Sequence, residues 1–169
     1  MHTLAAAVLL ALSPADDPKQ PPELGRVRFG RELDAGLAEA QRAERPAFLL
    51  FQEIPGCQTC RDFGGGPLSH PLLVEAIETC FVPIAIHNNA GGADADALKR
   101  FGEPAWNNPV VRIVRPQDER DLVPRVAGDW TRLALGTAMV EALVAAKKPI
   151  PEALGLLVAE DRAHARGLR

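Results

Sequence analysis

The chain has 169 residues, 47% hydrophobic and 24% charged, with a formal net charge of -3. These values fit one globular domain with an ample core and exclude a disordered polyelectrolyte. The slightly acidic balance leaves no basic footprint for nucleic acid and no polybasic membrane patch, and three cysteines are too few for a disulfide scaffold.

The N-terminus reads MHTLAAAVLLALSPADDPKQPPEL. Leu4 to Leu12 is an apolar run of signal-peptide length, too short to span a bilayer, and Ser13-Pro14-Ala15 supplies small residues for cleavage after Ala15. No Lys or Arg precedes the run. Residues 1–15 are therefore expected to be a signal peptide and 16–30 a flexible segment. The mature chain would be exported to the periplasm or another extracytoplasmic space, without a transmembrane segment; a cytoplasmic location is the alternative.

Glu32 to Glu44 places Leu33, Leu37 and Ala40 on one face and predicts an amphipathic helix stopped by Pro46. AFLLF, Ala47 to Phe51, is a continuous apolar run of a strand buried on both faces. After the loop QEIPGCQTC, Gly64-Gly65-Gly66 predicts a short or broken helix. Ser69 is expected to cap the next helix, with Pro71 in its first turn and Thr79 near its end. CFVPIAI, Cys80 to Ile86, reads as a second buried strand, and Asp94 as the cap of a helix reaching Phe101.

VVRIV, Val110 to Val114, and LVPRVAG, ending at Gly128, predict an antiparallel hairpin around the polar turn PQDERD. Thr131 to Ala146 and Pro151 to about Arg166 follow as helices. Alternation of early strands with helices implies parallel pairing, and the late hairpin an antiparallel one, so the expected fold is α/β with a mixed four- or five-stranded central sheet flanked by helices. The domain is expected over residues 31–148, with a C-terminal helical extension over 149–169.

Cys57 and Cys60 fall at the carboxyl end of the first buried strand, where open α/β sheets place their sites. The residues alone admit three readings: a redox couple, a structural disulfide, or half of a metal site completed by His70 or His87. No second CxxC exists, and Arg61 stands where c-type haem attachment needs histidine. For redox work, a first cysteine at a helix start meets unpaired N–H groups and the positive end of the dipole, which favour its thiolate. Cys57 is then the nucleophile and Cys60 the resolving thiol. Glu53, between strand and motif, is a candidate for proton transfer or a solvated loop carboxylate. Cys80 reads as a small core hydrophobe.

The step FLLFQEIPGCQTC, the later WNNPVV, and the terminal hairpin plus helix together resemble the thioredoxin-like superfamily, from about Glu32 to Val144. The resemblance implies a thioredoxin fold and a thiol-disulfide oxidoreductase acting through Cys57 and Cys60 on protein or small-molecule thiols. It implies no bound cofactor or metal, an unidentified redox partner, and a monomer. It also implies that Pro109 follows a cis bond from Asn108, packs beside the CxxC and presents backbone to substrate, with Trp106 either flanking that groove or packing. Two departures stand out: Gly56 replaces the family's tryptophan, and Gln58-Thr59 replaces Gly-Pro. The alternative function is a non-catalytic thioredoxin-fold binding protein, metal-carrying or a scaffold.

Overall fold

Ala47–Gln52 (β1) is buried along its whole length because both of its faces carry apolar side chains. Phe48 and Leu50 enter one core while Ala47, Leu49 and Phe51 enter another, as the two-residue period of a strand requires. The computed structural model describes residues 20–106 and 109–167. The expected signal peptide and Asn108 lie outside them, so the Asn108–Pro109 bond does too.

Val82–His87 (β2) pairs parallel to β1 with Leu49 opposite Ile84, and Val110–Val114 (β3) pairs antiparallel with Leu49 opposite Arg112. The sheet order is β2-β1-β3. Leu33–Arg42 (α1) and Ala93–Phe101 (α4) cover one face through Leu37, Ala40, Ala97 and Leu98. Gln58–Gly65 (α2), Pro71–Cys80 (α3), Arg132–Ala145 (α5) and Glu152–Ala165 (α6) supply the core on the other face. This is the mixed α/β sheet between helices that the element order predicts.

The sheet has three strands among the described residues, not four or five. The expected fourth strand, at Leu122 to Gly128, is reduced to two isolated bridges, Val114 with Asp121 and Val111 with Val126. Between those bridges β3 advances three residues while the returning segment advances five. Pro124 sits in that excess and has no N–H to give a ladder, so the segment bulges between the two bridges instead of pairing continuously.

Several boundaries differ for local reasons. Ser69 does not cap α3; its hydroxyl donates to the Gly64 carbonyl at 2.7 Å, closing the end of α2, and Pro71 opens α3 unaided. Cys80 ends α3 rather than starting a strand, and it packs half-buried against the core. Asp94 lies inside α4, and its carboxylate accepts from the His87 amide at 3.1 Å and from Arg31 at 2.8 Å. Thr131 caps α5, accepting from the Ala134 amide at 3.1 Å.

The largest departure is at the N-terminal side. Residues 20–30, expected to be flexible, fold as a strap against α2 and α3. Pro22–Leu24 forms a 3₁₀ turn, Leu24 and Val27 are buried, and the Arg26 amide donates to the Leu68 carbonyl at 2.9 Å. Glu78 on α3 accepts from the Arg28 amide at 2.9 Å and pairs with its guanidinium, which holds the Glu78 carboxyl below its ordinary range. The strap touches α2 so closely that a Cβ on Gly64 would lie 2.1 Å from the Pro22 carbonyl oxygen. Gly64 therefore serves this contact, and α2 is short, ending at Gly65 within the triple glycine as expected.

Candidate functional site

The strand β1 delivers the chain to the loop Glu53–Gly56, and Cys57 follows as the N-cap of α2 in an extended conformation (φ -69°, ψ 177°). An N-cap residue has its side chain beside the unpaired amides of the first turn. Cys57 is exposed, Cys60 is fully buried one turn on, and their sulfurs are in contact at 3.2 Å as free thiols.

Their proton affinities diverge. The Cys60 backbone N–H, followed by the Cys60 side chain and the Thr59 N–H, lowers the Cys57 thiol below its ordinary value, against slight burial and the nearby Glu53 charge. Burial pushes the Cys60 thiol up to about 12, and the hydrogen bond to Cys57 adds to that rise. One sulfur is prepared as an accessible thiolate and the other as a protonated reserve.

The loop is fixed from several sides. The Ile54 amide donates to Asn89 Oδ1 at 3.0 Å, and Asn89 Nδ2 donates to the Pro55 carbonyl at 3.2 Å. Arg61, exposed at the surface, curls back to the Gly56 carbonyl at 2.5 Å and to Gln58 Oε1 at 3.1 Å. Gly56 cannot carry a side chain here: a Cβ would lie 2.4 Å from the Glu53 carbonyl oxygen and 2.7 Å from Cys60 Cβ. That contact restricts the position before Cys57 to glycine in this loop conformation.

Beneath the loop lies a polar layer that the sequence did not announce. Glu23, from the strap, is 2% exposed, and its Oε1 accepts the Gly56 amide at 2.8 Å. Gln52, fully buried at the end of β1, donates to the Glu23 carbonyl and, at 3.4 Å, to the Cys60 carbonyl. His87 is the register partner of Gln52, and burial holds its imidazole below the ordinary value.

The expected site residues separate into two groups. Glu53, Cys57 and Cys60 come together, their donor atoms all within 4.8 Å of one another; no other His, Cys, Asp or Glu among the described residues forms such a group, so His70 and His87 are not gathered as metal ligands. Pro109 is buried one residue before Val110, which pairs with Phe51, and so occupies the same end of the sheet as the CxxC. Trp106 does not pack: it is 81% exposed. The packing tryptophan is Trp130, just before α5, whose indole N–H donates to the Pro109 carbonyl at 2.8 Å. Sequence reasoning missed Trp130, which carries no motif beyond its place just before α5.

No protein-family model matches the sequence, and no curated protein matches it. The fold is similar to that of a thioredoxin from Thermus thermophilus, with a TM-score of 0.60 and 20% identity over 71% of this chain and 89% of that one. It is also similar to a structure described as DsbH oxidoreductase, with a TM-score of 0.55 and 10% identity over 80% of this chain and 94% of that one. The chain is a thioredoxin-fold protein with a CxxC pair at the carboxyl end of its central strand.

Proposed function

We propose that the protein is a thiol-disulfide oxidoreductase acting through Cys57 and Cys60 on protein or small-molecule thiols and disulfides. The observation that carries this reading is the exposed Cys57 sulfur at a helix N-cap, 3.2 Å from the buried Cys60 sulfur. The Cys57 thiolate attacks one sulfur of a substrate disulfide, forming a mixed disulfide and releasing the other sulfur as a thiolate that takes up a proton. Cys60 then gives up its proton and attacks the Cys57 sulfur, so the substrate leaves as a dithiol and Cys57–Cys60 becomes a disulfide. A separate redox partner restores the dithiol; run in reverse, the same steps oxidise a substrate.

Glu53 lies close enough to both sulfurs to relay these protons. Pro109 presents its neighbouring backbone to an extended substrate segment, and Asn108 and the exposed Trp106 are the further residues proposed to meet that segment. The chain works as an exported monomer; a mature N-terminus near Asp16, read by mass spectrometry, tests the export. No described helix is long and apolar enough to cross a membrane. Equilibration with glutathione buffers tests the function: a reversible two-electron couple in the wild type, absent in Cys57→Ser and Cys60→Ser, is the expected result.

A second reading has one observation behind it. The Glu53, Cys57 and Cys60 donors form a two-sulfur, one-oxygen group that suits a soft divalent metal. One tightly held zinc or copper per reduced chain, with no reversible couple, would favour a metal-carrying binding protein.

A further inference from the structure

We infer that Glu23 is a positioning residue for the Cys57–Cys60 pair, reaching it from the N-terminal strap through the Gly56 amide. The inference deepens the oxidoreductase reading and rests on it for its functional meaning.

Three observations carry it. Glu23 is an ionisable side chain with 2% exposure, placed by a segment that is remote in sequence from the motif, and such burial is costly unless the group is well partnered. Its Oε1 takes the amide of the residue immediately before Cys57, at 2.8 Å. Its backbone is locked in turn: Gln52 binds the Glu23 carbonyl and the Cys60 carbonyl with the same Nε2, and a Cβ on Gly64 would lie 2.6 Å from Glu23 C and O. The strap, the end of β1 and the first turn of α2 are thus joined at one point beneath the two sulfurs.

The consequence is geometric. The Cys57 sulfur owes its lowered proton affinity first to the Cys60 amide and then to nearby groups including the Thr59 amide. Those contacts depend on where the Gly56–Cys57 peptide enters the helix. With the Gly56 amide held, the sulfur stays over the first turn; with it released, the loop 53–56 relaxes and the sulfur leaves the amides that favour its thiolate.

The test is the pH dependence of Cys57 alkylation by iodoacetamide, measured in a Cys60→Ser, Cys80→Ser background so that one thiol reports. Glu23→Ala removes the acceptor, and Glu23→Asp keeps a carboxyl but withdraws it from reach. Both should raise the alkylation midpoint by about one pH unit, leaving roughly tenfold less thiolate at pH values well below both midpoints. Glu23→Gln keeps an oxygen at the same reach and should restore the wild-type midpoint. Gln20→Ala loosens the strap without touching the Glu23 carboxylate, since Gln20 binds the Leu24, Gly25 and Val27 carbonyls at 3.4, 3.1 and 2.8 Å, and should leave the midpoint in place. An unmoved midpoint in Glu23→Asp, a shift in Glu23→Gln as large as in Glu23→Asp, or an equal shift in Gln20→Ala overturns the inference. Should Glu23→Ala fail to fold, the Asp and Gln variants decide. The readout needs no turnover, so a wild type without a redox couple would sink the oxidoreductase reading while this result stood apart.

Discussion

Cys57 and Cys60 touch through their sulfurs at 3.2 Å, yet one is exposed and the other fully buried. A substrate disulfide can reach the first sulfur and not the second. Cys60→Ser should therefore hold substrates as mixed disulfides on Cys57, visible as thiol-sensitive adducts on non-reducing gels. Cys57→Ser should hold almost none. Equal trapping by both variants would mean that Cys60 becomes accessible during exchange and that the division of labour is wrong.

The buried Cys60 thiol also makes stability depend on alkaline pH. Its proton affinity in the fold is raised from an ordinary value of 9.0 to about 12. The folded protein keeps this proton where the unfolded chain loses it, so the contribution is fully present below about pH 9 and declines as pH rises toward about 12. The chain contains no tyrosine, which leaves fewer competing titrations in that window. Urea unfolding of the reduced protein between about pH 8 and 11 should show a steeper loss of stability than the Cys60→Ala variant shows. Parallel curves would remove the burial explanation.

Gly56 gives a prediction opposite in sense to the tryptophan that the sequence resemblance would lead one to expect. Introducing the tryptophan that thioredoxins carry there should damage this protein, because even a Cβ would overlap the Glu53 carbonyl oxygen at 2.4 Å and Cys60 Cβ at 2.7 Å. Neither contact is with the far end of a flexible side chain, so the loop must move. Gly56→Ala should cost about 1–3 kcal/mol, the usual range for overpacking, and slow disulfide exchange. Gly56→Trp should do at least as much harm, and a fully active Gly56→Trp variant would show that the loop adapts freely.

What was legible in the sequence followed from periodicity. β1, β2, β3 and α1 announce themselves through apolar runs and spacing, the other helices mainly through glycine, proline and capping signals, and the motif's place after β1 follows from the element order. The strap did not, because QPPELGRVR has the composition of a solvated segment and gains its burial from contacts with α2 and α3. Glu23 looked like one more exposed charge; a buried acid is betrayed by its partner, here a backbone amide with no sequence signature. The missing strand at Leu122 to Gly128 has the opposite cause. Its apolar alternation was real, but Pro124 removed a donor that the ladder needed. Between the two tryptophans, composition offered no choice: Trp106 is exposed, and Trp130 holds Pro109.

The C-terminal helix supplies the last prediction. α6 follows the expected end of the domain, yet Leu154, Leu157 and Val158 enter the same core as α3 and α5. Asp161, only 9% exposed, accepts from Arg132 Nε at 2.7 Å in a two-point pair at the start of α5, and that pair holds its carboxyl below the ordinary range. Leu154 is 1% exposed, so Leu154→Ala should cost about 2–5 kcal/mol through lost contact and the cavity left behind. Arg132→Ala should cost about 1.5–3 kcal/mol by stripping the donors from a largely buried carboxylate, and that cost should shrink as acid protonates Asp161. Chemical denaturation by a single transition is expected for each variant, and the two losses should not be additive if both act by loosening α6. A chain ending at residue 148 that unfolds at the wild-type midpoint would show that α6 is an appendage rather than part of the core.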